Sequence, residues 1–188
     1  SGAIDVAALA KTDVSLAADT DDGTAEAFIS SSDNELNLTA SASAYGIYAT
    51  ITGTLGGDFT NSGDIAVVAS AAVVVALEAD SLSGGSASAF ITAGSSISIY
   101  ASASAYGLFA DIDNLIGAFT NSGDIAVTAV ASVDVALTGY AGGGSAEAFI
   151  RAPDDDINIS ASATAYGLFA SITTLGGDFS NSGEIDVL

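Results

Sequence analysis

Residues 121 to 137 read NSGDIAVTAVASVDVAL, and the opening returns as NSGDI at 61 to 65 and as NSGEI at 181 to 185. After the turn-forming Asn-Ser-Gly-Asp, the side chains alternate. Ile125, Val127, Ala129, Ala131, Val133, Val135 and Leu137 share one parity, while Ala126, Thr128, Val130, Ser132, Asp134 and Ala136 share the other. A period of two belongs to a β-strand with one buried face; a helix would need apolar residues at i, i+3 and i+4. No window of the chain sustains that helical stripe.

The recurrences around this stretch set the architecture. AYGIYA at 44 to 49 returns as AYGLFA at 105 to 110 and 165 to 170, and AEAFI at 25 to 29 returns as ASAFI at 87 to 91 and AEAFI at 146 to 150. The period is 60 to 61 residues, giving units 3–63, 64–123 and 124–183 and a short stub, 184–188, that restarts the repeat. Each unit divides again, because an acidic or small residue followed by an aliphatic one opens each half: Ala3, Glu35, Asp64, Ser96, Asp124, Asp156 and Glu184. These marks predict an all-β, parallel β-solenoid of about six rungs, with two coils of about 30 residues in each 60-residue repeat. A β-sandwich or propeller of 60-residue units would produce the same recurrences. On the six-coil reading, Phe28, Ile47, Phe90, Leu108, Phe149 and Leu168 form one internal ladder that alternates large and smaller side chains.

Composition narrows the function. The 188 residues include 38 Ala, 26 Ser and 21 Gly, with 23 acidic side chains against Lys11 and Arg151, for a net charge of −21. The chain has no His, Cys, Met or Trp, which removes the Ser-His-Asp triad, the cysteine nucleophile, haem ligation, zinc sites rich in Cys and His, and disulfides. Nucleic acid is not expected as a partner, since phosphate contacts need clustered Lys and Arg. Nor is membrane insertion expected: the longest apolar run, Ile65 to Leu77, is interrupted by Ser70 and is shorter than the ~20 residues of a spanning helix. A glycosidase needs only two carboxylates, but an active site would interrupt the repeat and no interruption carries chemistry. The expectation is therefore not an enzyme.

The NSGDI-type turn, the IxVxAxA strand and the AYGLF strand together resemble repeats of large bacterial surface proteins with β-helical stalks, the autotransporter passengers and filamentous-haemagglutinin-like adhesins. The likeness covers nearly the whole chain, without a translocation barrel, a secretion domain or a cap. It implies a secreted protein, extracellular or on the cell surface, that forms a stalk or filament segment. SGAIDV at Ser1 and SGEIDV at Ser182 stand at the same phase of the repeat, so either a longer repetitive chain of which this is a segment, or self-association of copies end to end, is expected.

Three surface features are candidate sites. Glu35, Asp64, Asp124, Asp156 and Glu184 mark coil starts and are expected to form one acidic column along an edge. Carboxylates stacked at strand spacing repel unless screened or bridged, and calcium, a hard cation with flexible oxygen ligation, is the candidate bridge. Asp19, Asp21, Asp22, Asp154 and Asp155 are possible contributors, and a solvated acidic turn is the alternative. The outward parity of the strand from Ile65 carries Val68, Ala72 and Val74, an apolar set suited to lateral self-association, the alternatives being a sparsely decorated free surface or one covered by a loop. The other coil type carries hydroxyl rows, among them Ser41 and Ser43, Ser102 and Ser104, and Ser162 and Thr164. These rows suggest an ice-binding surface, with the rows falling on every second rung, about 9.6 Å apart; a binding module for ice, mineral or a calcium-bridged glycan is the alternative to the structural role.

Overall fold

The computed structural model describes residues 2–32, 35–153 and 156–188, and among them every regular element is a strand. The first turn of the chain consists of β1 (Ile4–Thr20), β2 (Thr24–Ser31), β3 (Leu36–Leu55) and β4 (Phe59–Asn61). The second repeats it as β5 (Ile65–Ser81), β6 (Ser86–Ala93), β7 (Ser96–Leu115) and β8 (Phe119–Asn121). The third is β9 (Ile125–Ala141), β10 (Ala146–Arg151), β11 (Asp156–Leu175) and β12 (Phe179–Asn181), and β13 (Ile185–Val187) opens a fourth.

Each strand pairs in parallel with its counterpart one repeat away, giving four sheets ordered β1-β5-β9-β13, β10-β6-β2, β11-β7-β3 and β12-β8-β4. The fold is thus an all-β parallel solenoid. Its rung differs from the expectation. Ile4 lies beside Ile65, Ile65 beside Ile125, and Ile125 beside Ile185, so one rung is the whole repeat of about 60 residues and the chain makes three rungs, not six. The two half-repeats are different walls of one rung. Parallel pairing puts like on like, so the closely matching 60-residue period stacks, while the weaker half-period records only that both walls alternate.

The core lies between these walls. Ile65, Val67, Ala69, Ala71, Val73, Val75, Leu77 and Ala79 of β5 are all buried, as are Ile97, Ile99, Ala101, Ala103 and Ala105 of β7. Alternating residues point outward, which gives both strands their period of two. Glycine decides where the walls meet. A Cβ on Gly46 would stand 2.4 Å from Cγ2 of Ile65 and 2.9 Å from Cγ2 of Val67, and Gly107 has the same relation to Ile125 and Val127. Here the inward parity of β3 also shifts, from Ala40, Ala42 and Ala44 before the glycine to Ile47, Ala49 and Ile51 after it. The glycine in AYGLFA therefore serves both the change of parity and the close approach.

Length differences between repeats fall in turns and at one bulge. Ile51 pairs with Ile112 but Thr54 with Asn114, so the first rung carries one extra residue between them. Gly53 sits there at φ +113°, a conformation that costs glycine little, and its N–H donates to Asp113 Oδ2 of the next rung at 2.9 Å.

Candidate functional site: columns along the solenoid axis

Because every rung repeats in register, any residue kept in the 60-residue repeat becomes a column. The NSGD turn builds the most buried polar one. Asn61 Nδ2 donates to Asn121 Oδ1 at 2.7 Å, and Asn121 Nδ2 donates to Asn181 Oδ1 at 2.7 Å. Each Nδ2 also donates to the carbonyl two residues on: Asn61 to Gly63, Asn121 to Gly123 and Asn181 to Gly183, each at 2.9 Å. Asn121 is fully buried, and this network satisfies its amide. The glycine of the motif is required by contact: a Cβ on Gly123 would lie 2.0 Å from the Gly63 carbonyl oxygen.

The acid of the same motif faces outward. Asp64, Asp124 and Glu184 form one column, with Asp64 Oδ1 accepting from the Asp124 N–H at 3.1 Å and Asp124 Oδ1 accepting from the Glu184 N–H at 2.9 Å. Glu35 and Asp156 belong elsewhere. They precede or open β3 and β11, where Asp156 pairs with Ser96 and Leu36 pairs with Ile97. The single acidic edge expected from the sequence is therefore two columns, at the starts of two different sheets. Among the described residues no group of three or more acidic side chains gathers as a metal ligand set. Asp154 and Asp155 lie outside the described residues. Asp19 is paired with Asp80 in the β1/β5 register, and Asp80 retains one buried carboxylate oxygen without a hydrogen-bond partner among the described residues.

Aromatic rings form four further columns. Phe59, Phe119 and Phe179 stack at 5.0 and 4.8 Å, and Phe119 at the centre is fully buried. Phe28, Phe90 and Phe149 stack at 5.2 and 5.3 Å on the outer side, with Phe28 and Phe149 exposed. Ile47, Leu108 and Leu168 pair in a different sheet. The single alternating internal ladder is thus replaced by an outer Phe column and an inner aliphatic one. Parity carries the reason: Ala25 and Ala27 point inward, so Phe28 must point outward.

The remaining aromatic columns run side by side on the outside of β3, β7 and β11. Tyr45, Tyr106 and Tyr166 stack at 4.8 and 5.1 Å, and Tyr48, Phe109 and Phe169 at 4.9 and 4.8 Å. Tyr45 meets Tyr48 edge to face, as Tyr106 meets Phe109. Burial first, and then the neighbouring phenols of Tyr45 and Tyr166, raises the Tyr106 phenol above its ordinary value. Beside these columns lie the hydroxyl rows. Ser41, Ser102 and Ser162 are direct register neighbours, as are Ser43, Ser104 and Thr164. The rows occupy adjacent rungs, about 4.8 Å apart, rather than every second rung.

The apolar set on β5 has charged neighbours. Val68 is exposed, with Ala7 and Thr128 at its sides, but Ala72 pairs with Lys11, and Val74 stands between Asp13 and Asp134. Lys11 and Asp13 form an ion pair at 2.8 Å, half exposed and so worth little to stability. The Asn and aromatic columns escape a search for catalytic residue types; they become visible only when the three repeats are written beneath one another.

No family model matches the chain, and neither the curated proteins nor the solved structures contain a significant match.

Proposed function

We propose that this chain is a structural segment of an extracellular or cell-surface stalk or filament, extended along the solenoid axis by further rungs of the same kind. The observation that carries this reading is the in-register repetition of buried Asn, Gly and Phe columns, each of which leaves at its end rung a surface complementary to another copy of itself. β1, β2, β3 and β4 lie at one edge of their sheets, and β10, β11 and β12 at the opposite edge. Such edges template further pairing, and the rung added next is that of a second copy. The charge of −21 opposes random association, whereas in-register addition offers hydrogen bonds along every strand.

The test is electron microscopy and light scattering at rising protein concentration. Filaments that lengthen along the axis are expected. A Leu9→Pro variant should shorten them, because the Ile4 N–H donates to Asp64 and alternation then turns the Leu9 N–H toward the open edge. Wild-type protein that remains as isolated three-rung particles would overturn the proposal.

A second reading, a surface-binding module such as an ice binder, draws on the adjacent hydroxyl rows of β3, β7 and β11. Thermal hysteresis would support it, and its absence would remove it.

A further inference from the structure

Charge is distributed unevenly around the rung. Residues 36–49, 97–110 and 157–170 contain no charged side chain, although the chain carries 25 in all, 23 acidic and two basic. These three spans pair with one another in a single sheet, so together they make one uncharged outer face. The face is built of hydroxyl and amide side chains, low except for the Tyr100 phenol between Thr39 and Ser160, and carries the twin aromatic columns at one end. The sheet of β1, β5 and β9 has no equivalent, since Asp5, Lys11, Asp13, Glu78, Asp80 and Asp134 all point outward from it.

From this we infer that the uncharged face of β3, β7 and β11 is a lateral contact surface for a second copy of this chain. Two copies, each at −21, repel through every other wall, and only here can they approach without burying unpaired carboxylates. The dimensions suffice. Fourteen residues at about 3.3 Å and three rungs at about 4.8 Å give roughly 650 Å² per copy, or about 1,300 Å² in total, within the range of specific interfaces. Each added rung contributes about 220 Å² per copy, so lateral pairing strengthens as the solenoid lengthens. The ring geometry speaks against a sugar polymer as occupant. Neighbouring Tyr and Phe rings of the twin columns lie within 5 to 11° of parallel and cover one another's faces, leaving mainly edges toward solvent. A stacked sugar needs a ring face.

This lateral contact rests on the scaffold reading above, and is best measured in the Leu9→Pro background, where axial growth is suppressed and the two associations separate. Sedimentation velocity across a concentration series should show a dimer that tightens as NaCl rises, because salt screens the repulsion of the remaining surface. Ser102→Asp, at the centre of the face, should weaken pairing at least tenfold. Ser102→Asn should keep it within threefold, and so should Ser132→Asp, which adds the same charge to the other wall. Circular dichroism verifies that each variant is folded. The inference is overturned if no dimer forms, if Ser132→Asp weakens pairing as much as Ser102→Asp, or if salt loosens the dimer. It is equally overturned if the folded protein stays unpaired and is instead retained on an insoluble neutral polysaccharide or on ice.

Discussion

Replacing Asn121 with alanine removes three hydrogen bonds at a fully buried position: two donated by Nδ2, to Gly123 O and Asn181 Oδ1, and one accepted from Asn61 Nδ2. At about 1 kcal/mol net for each bond, and up to about 1 kcal/mol more for the buried partner groups left unpaired, the expected loss is about 3 to 4 kcal/mol. Asn181 makes a shorter network. It donates to Gly183 O and accepts from Asn121, and its exposed end rung lets water replace part of what is lost. Asn181→Ala is therefore expected to cost about 1 to 2 kcal/mol, about half the central loss. Urea denaturation followed by far-ultraviolet circular dichroism gives both values, with the slope checked for constancy between variants. Equal losses at the two positions, or a loss below about 1 kcal/mol at Asn121, would refute the view that the amide column ties rung to rung.

Glycine positions separate contact from composition. Gly123→Ala drives a Cβ to 2.0 Å from the Gly63 carbonyl and is expected to cost more than ~3 kcal/mol or prevent folding, whereas Gly56→Ala meets open space and should stay within about 0.5 kcal/mol; thermal melts distinguish them. Asp124→Ala removes the acceptor of the Glu184 N–H and should cost about 1 to 2 kcal/mol, while Asp124→Asn, which keeps an acceptor oxygen and relieves repulsion from Asp64, should cost less in the same urea assay. Because burial and then Tyr45 and Tyr166 raise the Tyr106 phenol above 10.0, its neutral form is favoured by the fold. Stability should accordingly show no dependence on this group below that value and fall as pH rises from there through the raised folded value; Tyr106→Phe should flatten the decline in alkaline melts.

How far the sequence reached can be judged from particular residues. The alternation from Ile125 to Leu137 is sufficient for the strand and for its buried parity, because a regular strand has only two faces. Rung length is not contained in the alternation. Glu35-Leu36 and Asp64-Ile65 look alike as strand starts, yet they open different sheets, since alternation describes a strand without specifying its neighbour. Residue-level recurrence carries that information: Asn61, Asn121 and Asn181 repeat at 60 and must stack, whereas no Asn recurs equivalently at 30. The outward course of Phe28 follows from Ala25 and Ala27, but the parity change at Gly46 does not follow from alternation, because it goes with the close approach of Ile65 and Val67 from another sheet. The charge-free wall was present in the sequence as three stretches without Asp, Glu, Lys or Arg, and became a surface only once β3, β7 and β11 were known to be neighbours.

The most direct measurement of the central claim is the mass per unit length of single, laterally unpaired filaments by scanning transmission electron microscopy, together with their axial layer spacing. With a chain of 18.2 kDa forming three layers about 4.8 Å apart, each layer being one 60-residue repeat, the expected value is about 1.3 kDa per Å. A value near half of that, which 30-residue layers would give, or the presence of discrete particles alone, would contradict it.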